Sequence, residues 1–281
     1  MGQQTEVEEV VASPGALAKV RVAEEIAVTS VESGLGLLPR AVGPEGVVLR
    51  MPLTGSLGPD GQVHNTALSV VADAAAGLGV SVFNSGRGGV TADLRVDRIG
   101  PVGARARYLE AIGTCIGIDG DLAYGRVEIR DDLGNLLGHG ISVMVLDSPA
   151  TPGHETSSTV VGRFDLNDVR VERTAEHVSV GVVTPGMANR RGAVHGGVVM
   201  GLAHEAQDMV HVEHGVRFRR LGLSVDYLRP APVGMPLSMH SAFVRRGRRL
   251  WTIRTEVRAE GGRTVAVATG MSAIGAGGDT V

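Results

Sequence analysis

GQVHNTALSVVADAAAG (residues 61–77) and GAVHGGVVMGLAHEAQD (residues 192–208) are two versions of one segment. Their histidines, His64 and His195, stand 131 positions apart. Nine residues after each comes a polar side chain, Asp73 in the first and His204 in the second. Six before His195 is Asn189, and six before His64 is Gly58. Each copy has lost what the other keeps. Four alternating strand-like segments follow both: 91–98, 104–116, 122–130 and 136–145 after the first, 222–228, 236–245, 250–258 and 264–274 after the second. One further strand candidate precedes each, GVVLRMPL (46–53) and HVSVGVV (177–183). DDLGN (131–135), RRGRR (245–249) and AEGGR (259–263) carry hairpin signals. One helix followed by consecutive strands reads as α+β with an antiparallel sheet. The unit of repetition is therefore domain-sized. We expect domains at 20–147 and 158–275, joined by a Pro-, Ser- and Thr-rich linker at 148–157, and a frayed tail after 274.

The helix after His64 has few polar side chains between Thr66 and Phe83, namely Thr66, Ser69, Asp73 and Ser81. The first three share one face, and all others are apolar or glycine, so a sheet is expected to wrap this helix. An ionised aspartate there is costly unless it is paired or used. A functional Asp73 and a structural one tied to a backbone group both fit that rule. In the second helix His204, Asp208 and His211 form a polar stripe beside Glu205 and Gln207, which predicts a wetter face.

The chain has 281 residues, 43% of them hydrophobic, enough for two cores. Aromatics are only 3%, so Val, Leu, Ile and Ala must fill those cores. A net charge of −3 gives no general reason to expect nucleic acid or an anionic membrane as partner. Cys115 is the single cysteine, so no intrachain disulfide forms, and a reducing, cytoplasmic setting is expected. The N-terminus is acidic and lacks a signal peptide's basic-then-apolar order. No run of about 20 apolar residues is evident as a membrane span.

Asn189, five residues, then His195-Gly196-Gly197, with an acid nine residues after the histidine in the other copy, resembles the hotdog-fold acyl-CoA thioesterases of the phenylacetate-pathway (PaaI-like) type. The tandem arrangement resembles a double-hotdog member. The resemblance implies two long central helices side by side inside one continuous antiparallel sheet. It further implies acyl-CoA as substrate, no metal or redox cofactor, and an assembly that is normally a pair of protomers and is here supplied by the two halves. The family often places a Ser or Thr near the acid, on the strand after the helix. Thr91 fits that place, with Ser224 as its expected counterpart in the second copy.

Helix geometry argues for a composite site. Gly196 at a helix start and position 204 eight residues on are roughly 12 Å apart along the axis, so they cannot grip the same carbonyl. The acid must come from another helix, and Asp73 is available. Gly196 N–H, at a helix N-terminus, can donate to a thioester oxyanion, and Gly197 leaves room for substrate. Asp73 is the expected base or nucleophile, Asn189 and Thr91 hold the carboxylate or the water, and His195 fixes the loop. The mirror arrangement, His204 with Asn65, is expected to be a decayed site. Arg245, Arg246, Arg248 and Arg249 in the 245–249 hairpin are candidates for the coenzyme A phosphates. Trp251 beside them is expected in a core or subunit contact.

Three rivals share the residues. HEAQD (204–208) with His211 and His214 offers a zinc hydrolase, but that leaves the repeat unexplained. Asp60 and His64 offer an enoyl-CoA hydratase or dehydratase on the same fold. A non-catalytic acyl-CoA binder is the third. Uncovered sheet edges predict that two chains pair as a homodimer.

Overall fold

The computed structural model describes residues 14–27, 29–58, 60–84, 87–147 and 162–275. The linker read at 148–157 and the tail after 275 lie outside them. Two helices, α1 (Pro14–Ala27) and α2 (Ser30–Gly34), lead into β1 (Leu38–Gly43) and β2 (Gly46–Pro52). Then come α3 (Asn65–Phe83), β3 (Gly89–Arg98), β4 (Tyr108–Asp119), β5 (Leu122–Asp131) and β6 (Leu136–Leu146). The second half runs β7 (Val171–Ala175), β8 (Val178–Gly181), α4 (Gly196–Glu213), β9 (Phe218–Tyr227), β10 (Leu237–Arg246), β11 (Leu250–Arg258) and β12 (Thr264–Ile274).

All twelve strands form one antiparallel sheet in the order β1-β2-β4-β5-β6-β3-β9-β12-β11-β10-β8-β7. The order is a palindrome about the β3–β9 seam, where Asp93 pairs with Asp226 and Asp97 with Gly222. The segment expected to begin at 104 starts as strand only at Tyr108. Before it, Asp131 accepts the Gly103 N–H at 2.9 Å and holds the chain in a turn.

Both central helices begin at the histidines of the repeated motif. His64 Nδ1 accepts the Thr66 N–H at 3.2 Å, and His195 Nδ1 accepts the Gly197 N–H at 3.0 Å. Each ring thereby satisfies a first-turn donor that the helix leaves unpaired. α3 and α4 lie antiparallel and very close. A Cβ at Gly197 would stand 2.5 Å from Val70 Cα, and one at Gly201 would stand 2.2 Å from Thr66 Oγ1. These two contacts are mates across the same axis, so α4 supplies both of the glycines that let the helices touch.

One hydrophobic cluster runs through both halves, from Val31 and Leu49 through Val70 and Met200 to Val257. α3 is buried along most of its length, as its composition requires. It is also long and apolar enough to cross a membrane by length and composition, with mean hydropathy 1.6, contrary to the reading that no such run exists. Here its apolar surface is spent against the sheet and α4. The stripe on α4 is a second correction. His204, Gln207 and His211 are buried, with the Gln207 amide donating to Ile253 O and Thr255 Oγ1.

Candidate active site

Asp73 projects from the middle of α3 toward the first turn of α4. Its Oδ2 accepts the Gly197 N–H at 3.1 Å, and its Oδ1 accepts the Thr91 hydroxyl at 2.9 Å. His195 Nδ1 lies 3.6 Å from the same Oδ2. A carboxylate from one half is thus held by a helix N-terminus of the other, where the backbone donors and the helix dipole favour negative charge. A Cβ on Gly196 would be 2.6 Å from Asp73 Oδ2, so only glycine lets the carboxylate sit there.

The peptide joining Gly196 and Gly197 is clamped at both ends. Tyr227 donates its hydroxyl to Gly196 O at 2.9 Å, while the Gly197 N–H points at Asp73. The Gly196 N–H donates to no protein group among the described residues, and Gly196 lines a cleft of about 380 Å³ with Asp73, Thr91 and Tyr227. Burial, with the Asp73 and Asp93 charges, holds the Tyr227 phenol well above its ordinary value, so it remains a neutral donor. His195 is fully enclosed. Burial pulls its pKa down, but the Glu32 charge and hydrogen bond, aided by Asp73, outweigh that and push it up to about 9. Glu32 Oε1 stands 3.2 Å from His195 Nε2.

Two sequence candidates behave differently from expectation. Asn189 lines the cleft, but its Oδ1 accepts the N–H groups of Arg191 and Ala193 at 2.8 and 3.2 Å. It shapes the loop before the helix, and no hydrogen bond to Asp73 occurs among the described residues. Arg245, Arg246, Arg248 and Arg249 are exposed and do not line the cleft. The hairpin that carries them packs at the far end of α4, where Trp251 stacks 5.4 Å from His211. His211 is fifteen residues beyond Gly196, roughly 22 Å along the helix axis. Trp251 is a buried core side chain, as expected, with its Nε1 donating to Gly247 O. Arg190, Arg191 and Arg229 line the cleft instead. Glu32 and Tyr227 were not found from the sequence. Neither sits at a motif spacing, since Glu32 meets His195 across 163 positions and Tyr227 meets Gly196 across 31.

The mirror position is filled by charge. The β3 bulge between Thr91 and Asp93 and the β9 bulge between Arg220 and Gly222 fall at the same place on their strands. Arg220, not Ser224, is therefore the counterpart of Thr91; Ser224 instead meets Asp93 at the seam. Arg220 Nε donates to both Asp208 oxygens at 2.8 and 2.9 Å, and Asp208 occupies the position equivalent to Gly77, which lines the first cleft. His204, where the first site has Asp73, is held well below its ordinary pKa by burial and by Arg220, Arg98 and His64. Burial and Asp208 push Glu205 up to about 7. Asp208, a ligand in the zinc reading, is engaged by Arg220. Among the described residues no group of three His, Cys, Asp or Glu could hold a metal.

Residues 191–266 match the family model described as Thioesterase superfamily. The comparison with curated proteins yields no match. Among solved structures, the tesB protein of Mycobacterium avium subs paratuberculosis aligns at TM-score 0.61 and 14% identity, over 90% of this chain and 100% of that one. An acyl-ACP thioesterase from Bacteroides thetaiotaomicron VPI-5482 aligns at TM-score 0.53 and 13% identity, over 87% and 100%. At these identities the likeness concerns the fold, which is the α+β hotdog architecture expected from the sequence.

Proposed function

We propose that this chain is a double-hotdog acyl-CoA thioesterase of the PaaI-like type, with one composite site formed across its two halves. The observation that carries the reading is the Asp73 carboxylate, fixed by Thr91 from its own half and by the Gly197 N–H at the start of the other half's helix. In that position Asp73 removes a proton from water, and the hydroxide attacks the thioester carbonyl. The Gly196 N–H, without a protein partner, receives the developing oxyanion, a donor of the kind worth about 2.7–4 kcal/mol in the transition state. The tetrahedral adduct collapses with cleavage of the C–S bond, the coenzyme A sulfur takes up the proton, and a carboxylic acid leaves. Arg190, Arg191 and Arg229 around the cleft suit the phosphates of coenzyme A better than the distant hairpin does. Two chains pairing as a homodimer belongs to the same proposal, and light scattering checks it.

Thiol release from a panel of short, medium, long and aryl acyl-CoAs tests the reading. Wild type is expected to hydrolyse part of the panel, and Asp73→Asn to lose about 10²–10⁴ in rate. His204→Ala is expected to keep its turnover. Equal losses in the two variants overturn the single site. Hydration of enoyl-CoA without thiol release, or binding without turnover, replaces the proposal with one of its rivals.

A further inference from the structure

We infer that Tyr227 is a positioning residue: by holding the Gly196 carbonyl, its hydroxyl fixes the peptide that presents the Gly197 N–H to Asp73. The inference rests on the reading of Asp73 as the base. Two glycines stand where the helix begins, and a side chain at either would collide. A Cβ on Gly196 would meet Asp73 Oδ2 at 2.6 Å, and one on Gly197 would meet Val70 Cα at 2.5 Å. Glycine also has the widest backbone freedom, so the same pair loosens the turn that must be held still. Tyr227 supplies the restraint. Its hydroxyl donates to Gly196 O at 2.9 Å, and the N–H of that same peptide donates to Asp73 Oδ2 at 3.1 Å. Thr91 donates to the other carboxylate oxygen at 2.9 Å. The four groups form one chain of hydrogen bonds from β9 through α4 and α3 to β3, and groups in such a chain polarise one another.

The support behind the hydroxyl is a sheet strand. Tyr227 is the last residue of β9 and pairs with Ala266 on β12. Its ring stands against the helix start, since a Cβ on Gly196 would lie 3.4 Å from both Cζ and the hydroxyl oxygen. A carbonyl in the first turn of a helix already has the N–H four residues on as its partner, so the hydroxyl is not needed to satisfy it. The other half does not repeat the contact. In the register that sets Arg220 against Thr91, the counterpart of Tyr227 is Arg98, the last residue of β3. Arg98 donates to Val63 O, ahead of His64 and outside the helix. The helix start there reads Asn65-Thr66, which has less backbone freedom than Gly-Gly. The hydroxyl thus occurs in the half whose helix begins with two glycines and receives a carboxylate.

The test joins kinetics to the magnetic resonance signals of the peptide itself, in the full chain. The sequence contains four Gly-Gly pairs, at 88–89, 196–197, 261–262 and 277–278, so glycine labelled with ¹³C at its carbonyl and with ¹⁵N gives four carbonyl–amide cross-peaks. The one lost in Gly196→Ala reports the Gly196 carbonyl and the Gly197 N–H together. Tyr227→Phe is expected to move that amide proton upfield, in the direction of its Asp73→Asn position. It is expected to lower kcat about tenfold with KM unchanged, the size of one neutral hydrogen bond. In an Asp73→Asn background the same change is expected to cost less than about twofold, because the carboxylate through which it acts is gone. An unmoved amide signal, or a second tenfold loss in that background, overturns the inference. So does a role limited to packing, which would lower the urea midpoint and leave kcat and the signal in place. Should Tyr227→Phe not fold, fluorotyrosine at the chain's three tyrosines, a stronger donor, is expected to move the amide proton downfield, and no movement overturns the inference equally. Absence of hydrolysis in wild type would refute the thioesterase reading, and the amide signal alone would then decide whether the hydroxyl acts on the Asp73 contact.

Discussion

Gly196 and Gly197 are neighbours, yet a methyl group added at each meets a different part of the molecule. At Gly196 the new Cβ meets the Asp73 carboxylate, a side chain that can rotate away. Gly196→Ala is therefore expected to fold normally and to lose about 10²-fold in turnover, the cost of a misplaced catalytic group. At Gly197 the new Cβ meets the backbone of Val70, which cannot move without parting the central helices. Gly197→Ala is expected to lose about 1–3 kcal/mol of stability, read from urea midpoints beside the kinetics. At this scale the sequence was partly legible. Spacing pointed to Asp73 and the two glycines, because their register follows from helix geometry and the repeat, while Thr91 came from the family resemblance. It did not show that the Gly197 N–H is the one given to the carboxylate, since one residue at a helix start turns the donor by about 100°. Asn189 also caps its own loop, a use that looks, in sequence, the same as facing a cleft.

The elements explain the mirror position. β3 and β9 bulge at the same place, so Arg220 stands where Thr91 does and Ser224 lies further along the strand. No composition signal marks those bulges, and Ser224 looked equivalent to Thr91 because it carries a hydroxyl on the strand after the helix. Arg220 now neutralises Asp208 on α4, and Arg220→Ala would leave that carboxylate buried and uncompensated. A loss of about 3–5 kcal/mol is expected in chemical denaturation, with the pH profile of hydrolysis unchanged. Glu205 and His204, side by side on α4, give opposite pH responses. Glu205 binds its proton up to about 7 in the folded chain but releases it near 4.5 when unfolded, so its contribution falls as pH rises between them. His204 stays neutral when folded, and stability falls as pH drops below 6.5 and the unfolded chain takes up the proton. Glu205→Gln is expected to gain on the order of 1 kcal/mol at about pH 8, after solvent screening, and nothing below pH 4.5. Urea midpoints at the two pH values check it.

Across the whole molecule, strand positions were readable wherever strands alternate: β5, β11 and β12 lie where hydrophobic period placed them. The outermost strands were not. β1 carries Pro39 and exposed Leu38, and β7 reads VERTA with four exposed residues, because an edge strand has little surface to bury and so keeps no pattern. α2 escaped for a related reason, as its five residues are too few to show a helical period. The β3–β9 seam has a genetic consequence. When two identical chains meet at such a seam, every substitution is made twice, and a residue lethal to one site is lethal to both. In a single chain each codon is read into one half alone. Under the proposed function, the strand that carries Thr91 can serve turnover while the strand that carries Arg220 serves cohesion. Directed evolution of this protein can use the same freedom, by drawing stabilising changes from residues 204–220 without touching the codons around Asp73.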